Sequence, residues 1–203
     1  AKMRDYFWLW GQDAGTHHYV GAKKENVWKL PGENRMGPVE GANYMGIRNI
    51  CRVVMGGKPE IPFDAESEKL KNMNEVVWSA IGDSSSTSNA LDKSAVDEVI
   101  RQAEKYPNIT GAILDDFFTN PDNNAVYVPR ISFNDMKIMR DKLHNFSKRK
   151  LDLWVVWYEY ELDYDIQDYL ELCDVVTFWT WKGSNLAFLD KNIQKVVTRT
   201  PGK

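Results

Sequence analysis

The sequence predicts an α/β protein of the (β/α)8 TIM-barrel type, with about six strand–helix units. Segments rich in β-branched and aromatic residues alternate with segments of 3.6-residue apolar periodicity. The strand segments are apolar on both faces, which is typical of a parallel sheet covered by helices. No Gly-x-Gly-x-x-Gly turn follows the first strand, so the usual feature of an open nucleotide-binding sheet is missing. Polar and aromatic residues instead follow most strand ends, which favours a barrel whose mouth is built from many loops.

The first half of the chain contains three predicted units. We predict strands at 6–10, 50–55 and 75–81, and helices at 39–49, 64–73 and 93–106. A long Gly-rich loop runs from the first strand to about Gly37, and Gly56-Gly57 ends the second strand. The small, polar stretch 82–89 is predicted to be a loop, and Pro107 lies just beyond the third helix.

The second half repeats the pattern. We predict strands at 109–115, 151–158 and 174–180, and helices from Ser132 to about Phe146, at 166–173 and at 186–198. Ser132 is a predicted N-cap, with Asp135 at the capping-box position. The stretch 119–130, rich in Asn, Asp and Pro, is a predicted loop.

Six units fall short of a complete barrel, which needs about 250 residues. The chain has 203 residues and its sixth helix runs almost to Lys203. Two explanations remain open: the last two units are absent from this polypeptide, or the sheet is open. We expect the first, with residues 1–203 forming one catalytic-type barrel domain.

Composition limits the partners of the chain. The net charge of −3 argues against a nucleic-acid partner, and the apolar runs are too short to span a membrane. The two cysteines, Cys51 and Cys173, are expected to be small buried apolar residues. We expect a secreted or periplasmic protein, with a cytoplasmic location left open.

Two adjacent carboxylates end the fourth predicted strand. Asp115 and Asp116 follow the apolar run 109–114, where charged groups are costly unless they are solvated, paired or functional. Side chains alternate along a strand, so we expect one of the pair to face the barrel mouth and the other the helix layer. We choose Asp116 as the inward residue. If the other set of alternating side chains faces inward, Asp115 lies inside together with Ile113. The alternative is that both only cap loops or bind backbone amides.

The fifth predicted strand ends in a second acidic pair. Glu159 and Glu161 would share one face if the strand continued through them. Parallel strands lie about 4.8 Å apart, so an Asp and a Glu on neighbouring strands can bring their carboxyl groups within about 5 to 6 Å. That separation is typical of a retaining glycosidase. The alternative is a solvated acidic loop, because Asp163 and Asp165 follow.

Aromatic residues make up 12% of the chain and crowd the predicted strand ends. Flat rings at a barrel mouth can stack on the C–H face of a sugar, although some of them will be core. The residues expected to bind substrate are Trp8, Trp10, Asp13, His17, Trp157, Tyr158, Trp179, Trp181 and Lys182. Neighbouring His17 and His18 diverge in regular backbone, so we expect no metal centre, and no organic cofactor either.

Acidic residues after strands four and five resemble the glycoside hydrolase barrels. In the α-amylase superfamily an Asp after strand four is the nucleophile and a Glu after strand five is the acid/base. The resemblance implies these roles for Asp115 or Asp116 and for Glu159 or Glu161. The Arg that precedes the nucleophile by two residues in that superfamily is Ile113 or Leu114 here. Chitinase-like barrels also end strand four in an acidic run, but theirs finishes in Glu, where this chain has Phe117 and Phe118.

The sequence therefore predicts an enzyme that cleaves oligo- or polysaccharides. We expect Glu159, kept protonated among Trp157 and Trp179, to be the general acid and a strand-four aspartate the nucleophile. Tyr158, Tyr160, Lys182 or backbone amides would hold the nucleophile ionised. Two alternatives remain: a non-catalytic carbohydrate-binding barrel, and a lyase or aldolase in which Asp115, Asp116 and Glu159 hold Mg²⁺.

Overall fold

The computed structural model describes residues 2–17, 25–26, 28–84, 86, 94–118 and 129–203. Some predictions lie outside the described residues. These are the position of His18, part of the Gly-rich loop after the first strand, half of the 82–89 loop, and the 119–130 loop up to residue 128.

The described residues form a six-stranded, all-parallel sheet. Its strands are β1 (Trp8–Gly11), β2 (Asn49–Arg52), β3 (Glu75–Ile81), β4 (Ile109–Leu114), β5 (Asp152–Tyr158) and β6 (Val175–Trp179). Each strand pairs in parallel with the next one along the chain, in the order β1-β2-β3-β4-β5-β6. The strand order never reverses, as it would in a doubly wound sheet. The predicted alternation of parallel strands and helices is confirmed.

Helices alternate with the strands along the described chain. The α-helices are α1 (Pro38–Met45), α2 (Asp64–Leu70), α3 (Ser94–Lys105), α4 (Phe133–His144), α5 (Gln167–Leu172) and α6 (Leu189–Arg199). Short 3-10 helices cover Met3–Tyr6, Glu159–Glu161 and Gly183–Phe188. The Ser132 hydroxyl oxygen accepts a 3.1 Å hydrogen bond from the Asp135 amide, which confirms the predicted N-cap. Among the described helices, none is both long and apolar enough to cross a membrane.

Several predicted boundaries are wrong by a few residues. The helix predicted at 39–49 ends at Met45, because Gly46 adopts the left-handed conformation (φ 66°) and its amide bonds the carbonyl of Ala42. Such a glycine is a common helix terminator. The last predicted helix divides into the 3-10 helix Gly183–Phe188 and the α-helix Leu189–Arg199.

The sheet is curled, and aromatic contacts across its concave face demonstrate this. The ring centroids of Trp10 on β1 and Trp179 on β6 lie 4.9 Å apart, and those of Trp8 and Trp154 lie 4.8 Å apart. In a flat sheet β1 and β6 would be separated by five strand spacings, about 24 Å. The molecule is therefore an α/β fold with a half-barrel sheet, and the carboxyl ends of all six strands lie at one edge.

The two faces of the sheet carry separate apolar clusters. The larger cluster fills the space between sheet and helices and includes the stacked rings of Phe63 and Trp78, 4.2 Å apart. The smaller cluster lines the concave face and includes Cys51, Ile113 and Tyr158. Cys51 and Cys173 are both buried and free, as predicted. The concave cluster positions the side chains described next.

Candidate functional site

Asp115 continues the concave side of β4 beyond the end of the strand. Its amide donates a 3.0 Å hydrogen bond to the Ile81 carbonyl, so the strand pattern that places Ile113 on the concave face extends to Asp115. The side chain is only 2% exposed. Burial, followed by the charges of Asp116 and Asp83, raises the pKa of this carboxyl well above its usual range. The strand parity that led us to choose Asp116 was therefore the wrong one, because Ile113 lies in the concave cluster whereas Ala112 and Leu114 lie in the helix-facing cluster.

Asp116 reaches the same side of the sheet by a different route. Its backbone is left-handed (φ 45°), and its amide donates a 2.8 Å hydrogen bond to Asp115 Oδ1. One carboxylate oxygen accepts from the Ser84 amide at 2.8 Å, and the other accepts from the Tyr158 hydroxyl at 2.7 Å. Strict alternation of side chains predicted that one aspartate of the pair would face the helix layer. Asp116 does not face it, so both aspartates lie on the concave side. The alternation fails because the strand ends at Leu114.

Tyr158 is the donor that the sequence led us to expect beside the aspartates. Burial, together with the charges of Asp115 and Asp116, raises the pKa of this phenol. The hydroxyl therefore keeps its proton and donates a hydrogen bond to the Asp116 carboxylate. Cys51 lies on the same concave face, and burial and the charge of Asp115 raise the pKa of its thiol to about 12. A protonated thiol and a protonated phenol thus flank the acidic pair.

The two glutamates do not share a face. β5 ends at Tyr158 and the chain turns into a 3-10 helix over Glu159–Glu161. Glu161 is fully buried, and its carboxylate accepts a 2.9 Å hydrogen bond from the Tyr158 amide. Trp157 is also fully buried and lies in the helix-facing cluster, where the Arg199 guanidinium lies 5.1 Å from its ring. The structure therefore brings neither Glu161 nor Trp157 to the concave face.

Glu159 faces the loop that follows β6. Its Oε1 atom accepts from the Asn185 side-chain amide at 2.8 Å and from the backbone amides of Trp181 and Lys182 at 3.2 and 3.4 Å. These partners differ from the predicted setting among Trp157 and Trp179. Glu159 also lines a groove of about 570 Å³, shared with Trp181 and Lys182.

A line of rings leads across this edge of the sheet, and we call it the aromatic row: His17, Trp28, Trp181, Tyr158 and Tyr160. Successive ring centroids along the row are 6.1, 5.5, 5.8 and 5.2 Å apart. Trp28, Trp181 and Tyr160 are about half exposed. The row contains three predicted substrate-binding residues, and the Tyr158 hydroxyl connects it to Asp116.

The other predicted binding residues lie beside this row or below it. Trp8, Trp10 and Trp179 are half-buried on the concave face, where they pack against the smaller apolar cluster. Asp13 forms an ion pair with Arg52, whose side chain is fully buried and also pairs with Glu66 at 3.0 Å. The structure therefore gives Asp13 a role in holding the loop after β1.

Sequence reasoning missed several residues that shape the site. Trp28 lies in the Gly-rich loop, where a tryptophan among polar residues was the available sequence signal. Asp83 contributes to the raised pKa of Asp115, and the Ser84 amide binds Asp116. The Arg130 guanidinium donates a 3.0 Å hydrogen bond to the Asp115 carbonyl and partly offsets the local negative charge. Asp83, Ser84 and Arg130 belong to two polar loops, 82–89 and 119–130. The sequence does not indicate which residues of two different loops come into contact.

The acidic pair, the tyrosine that binds it and the aromatic row lie together at the carboxyl edge of the sheet. Within the described ranges, no group of three or more His, Cys, Asp or Glu side chains is arranged to hold a metal ion. Asp115, Asp116 and Glu159 accordingly do not form such a group. No protein-family model, curated protein or solved structure matches this chain.

Proposed function

We propose that the curled sheet belongs to a (β/α)8-type barrel and that the protein is a carbohydrate-active enzyme, a retaining glycoside hydrolase acting on an oligo- or polysaccharide. One observation carries the proposal. The aromatic row of partly exposed rings includes Tyr158, whose hydroxyl binds a carboxylate at the carboxyl edge of the sheet. Active sites of barrels lie at this edge.

The aromatic row suits a sugar chain because pyranose rings present flat C–H faces that pack on indole and phenol rings. Trp28 and Trp181 stand at the exposed end of the row, and Tyr158 is buried at the carboxylate. A sugar stacked on Trp181 would therefore extend toward Asp116. Trp28 and Trp181 are about half exposed, so each indole presents surface that a sugar ring could cover.

Asp116 is the proposed nucleophile. Its two carboxylate oxygens each accept a hydrogen bond, which fixes their direction and suits an ionised group. Asp115 is too buried to touch a substrate, and we assign it a positioning role because its Oδ1 binds the Asp116 amide. The nucleophile would attack the anomeric carbon and release the leaving group, and water would then hydrolyse the glycosyl–enzyme bond.

Glu159 is the proposed proton donor, since it is half-buried and lines the groove. In this role Oε2 would carry the proton while Oε1 keeps its three donors. The same three donors favour the second candidate function, a non-catalytic carbohydrate-binding barrel, because they satisfy Glu159 without any substrate.

The test is a screen of aryl glycosides and glycan pools with the wild-type chain and with Asp116→Asn. We expect release of product from at least one substrate, and loss of that release in Asp116→Asn. A 2-deoxy-2-fluoro glycoside of the active sugar should leave a covalent adduct on the peptide that contains Asp116. Binding without release by the wild type would favour the non-catalytic reading, and an adduct on another carboxylate would overturn the assignment of Asp116.

A further inference from the structure

The groove beside Glu159 has a charge opposite to that of the protein as a whole. Three lysines line it, Lys182, Lys191 and Lys195, against the single carboxylate of Glu159. The complete chain has a net charge of −3. A basic groove on an acidic protein concentrates anions locally, and that attraction weakens as salt is added.

Two of the three lysine ammonium groups are available to a ligand. Lys195 pairs with Asp163 at 3.1 Å, an ion pair whose carboxylate is 88% exposed. In the part of the chain that the structure describes, no carboxylate pairs with the ammonium group of Lys182 or of Lys191. The Glu159 carboxylate is occupied by the amides of the loop after β6, so it does not neutralise these lysines by a direct contact.

The remaining walls of the groove suit a sugar. Tyr160, Trp181 and Phe188 are 47%, 54% and 59% exposed, so part of each ring is accessible to a ligand, although one face of Tyr160 is covered by the stacked ring of Tyr158. The side chains of Asn185 and Asn192 add amides that can bind hydroxyl groups. The volume of about 570 Å³ lies within the range of small-molecule pockets.

We propose that this groove binds an acidic oligosaccharide, one whose sugar units carry carboxylates. Lys182 and Lys191 would bind the carboxylates, and Trp181 and Phe188 would stack on the sugar rings. Trp181 belongs both to the groove and to the aromatic row, so the bound chain would continue from the groove toward Asp116. The inference deepens the proposed function and rests on it, because it names the class of substrate.

The experiment measures binding of a galacturonate hexamer, an alginate hexamer, a cello-hexaose and a sulfated disaccharide-repeat hexamer by titration calorimetry. We expect at least one of the two uronate hexamers to bind more tightly than the neutral and the sulfated hexamers, with an affinity that falls as NaCl is raised. Lys182→Gln and Lys191→Gln should each weaken uronate binding about two- to fivefold, the effect of one exposed ion pair. Lys137→Gln, a change of an exposed lysine on α4, is the matched control and should leave binding unchanged.

Several results would overturn the assignment. These are equal binding of neutral and uronate hexamers, preference for the sulfated hexamer, binding of a single-stranded oligonucleotide as tight as that of uronate, or insensitivity to both lysine changes. Asp116→Asn separates this inference from the proposed enzyme activity, since it should retain uronate binding while losing turnover. Turnover of neutral glycans alone would refute the groove assignment and leave the hydrolase proposal standing. Uronate binding without turnover by the wild type would support the groove assignment and refute the hydrolase proposal.

Discussion

The Tyr158 hydroxyl donates a 2.7 Å hydrogen bond to the Asp116 carboxylate, which joins residues 42 positions apart across the ends of β4 and β5. The left-handed backbone at Asp116 makes the contact possible, because it turns the side chain out of the regular alternation of the strand. The same tyrosine ring stacks on Tyr160 and lies nearly perpendicular to the ring of Trp181. One side chain therefore connects the acidic pair with the aromatic row.

Removal of this hydroxyl tests whether it supports catalysis. In Tyr158→Phe the ring stays and the donor to Asp116 is lost, so we expect kcat on an active glycan to fall about tenfold or more, the value of one hydrogen bond to a charged group. KM should change little, because the ring contacts remain. Steady-state kinetics measures both constants. Tyr44→Phe, at a residue that is 80% exposed, is the control and should behave like the wild type.

Asp115 predicts an unusual dependence of stability on pH. Its folded-state pKa is raised, chiefly by burial, so the wild type loses stability as the pH rises from the ordinary aspartate pKa of 3.8 toward the folded value. Asp115→Asn keeps an oxygen acceptor for the Asp116 amide and has no charge to bury. Its melting temperature should therefore exceed that of the wild type by a margin that widens with pH, at about 2–4 °C for each kcal/mol. Thermal melts between pH 4 and pH 8 measure it.

The control for this experiment is Asp141→Asn. Asp141 is exposed, and its pKa is lowered, chiefly by its hydrogen bond with Lys137. Loss of that carboxylate cannot produce a stabilisation that grows with pH. An Asp115→Asn curve parallel to that of the wild type would mean that the carboxyl carries no burial penalty.

Asp174 predicts the opposite dependence on pH. Burial opposes its ionisation, but hydrogen bonds from His144, the Leu153 amide and Lys150 outweigh burial and lower its pKa. A lowered pKa means that its contribution is present above the ordinary aspartate pKa of 3.8 and is lost as the pH falls through the folded value. Asp174→Ala should cost about 1–3 kcal/mol near pH 7, the cost of an unsatisfied buried donor. Urea unfolding should show this difference shrinking under strongly acidic conditions; a difference that stays constant with pH would contradict the assignment.

Arg52 is expected to be important for stability. Its buried guanidinium pairs with Asp13 and Glu66 and donates to the carbonyls of Gly11 and Val53. Removal of one partner of a buried ion pair costs about 3–5 kcal/mol, so Arg52→Met should lower the free energy of unfolding by about that amount. Arg35→Met, at an 82% exposed side chain, is the control in urea unfolding and should change little. Equal effects of the two changes would show that the Arg52 network adds no stability.

The fold was largely readable from the sequence because its signals are local. β3 has the predicted bounds 75–81, and the N-cap at Ser132 needs only a serine three residues before an available amide. The curling of the sheet was predicted from the accumulation of polar and aromatic residues at strand ends, and the contact of Trp10 with Trp179 confirms it. What the sequence did not provide was the path of the backbone beyond the ends of β4 and β5, where the acidic residues lie.

The errors at the site follow from that limit. The strand-like alternation of side chains was assumed to continue through Asp116, where the backbone is in fact left-handed. It was also assumed to continue through Glu161, where a 3-10 helix replaces the strand. The partners of Asp116 come from two other loops, at Ser84 and Tyr158. Such contacts depend on loop paths that no periodicity encodes, whereas the presence of an acidic pair and aromatic residues at this edge was predictable from their positions after the predicted strands.

Glu159 provides the most direct test of the chemistry. In Glu159→Gln the amide oxygen can still accept from Asn185, Trp181 and Lys182, but the side chain has no acidic proton to give. We expect turnover of natural glycans to fall about 100-fold or more, within the range of general acid catalysis. Substrates with strongly acidic leaving groups, such as dinitrophenyl glycosides, should be largely spared at the glycosylation step because they leave without protonation.

The comparison of leaving groups separates a proton donor from a residue that only shapes the loop after β6. A purely structural role would reduce both kinds of substrate equally, since a displaced Asn185 or Trp181 would disturb binding of either one. Glu171→Gln, at an exposed position on α5, should leave both rates unchanged. Equal loss on natural and activated substrates in Glu159→Gln would refute the assignment of Glu159 as the proton donor.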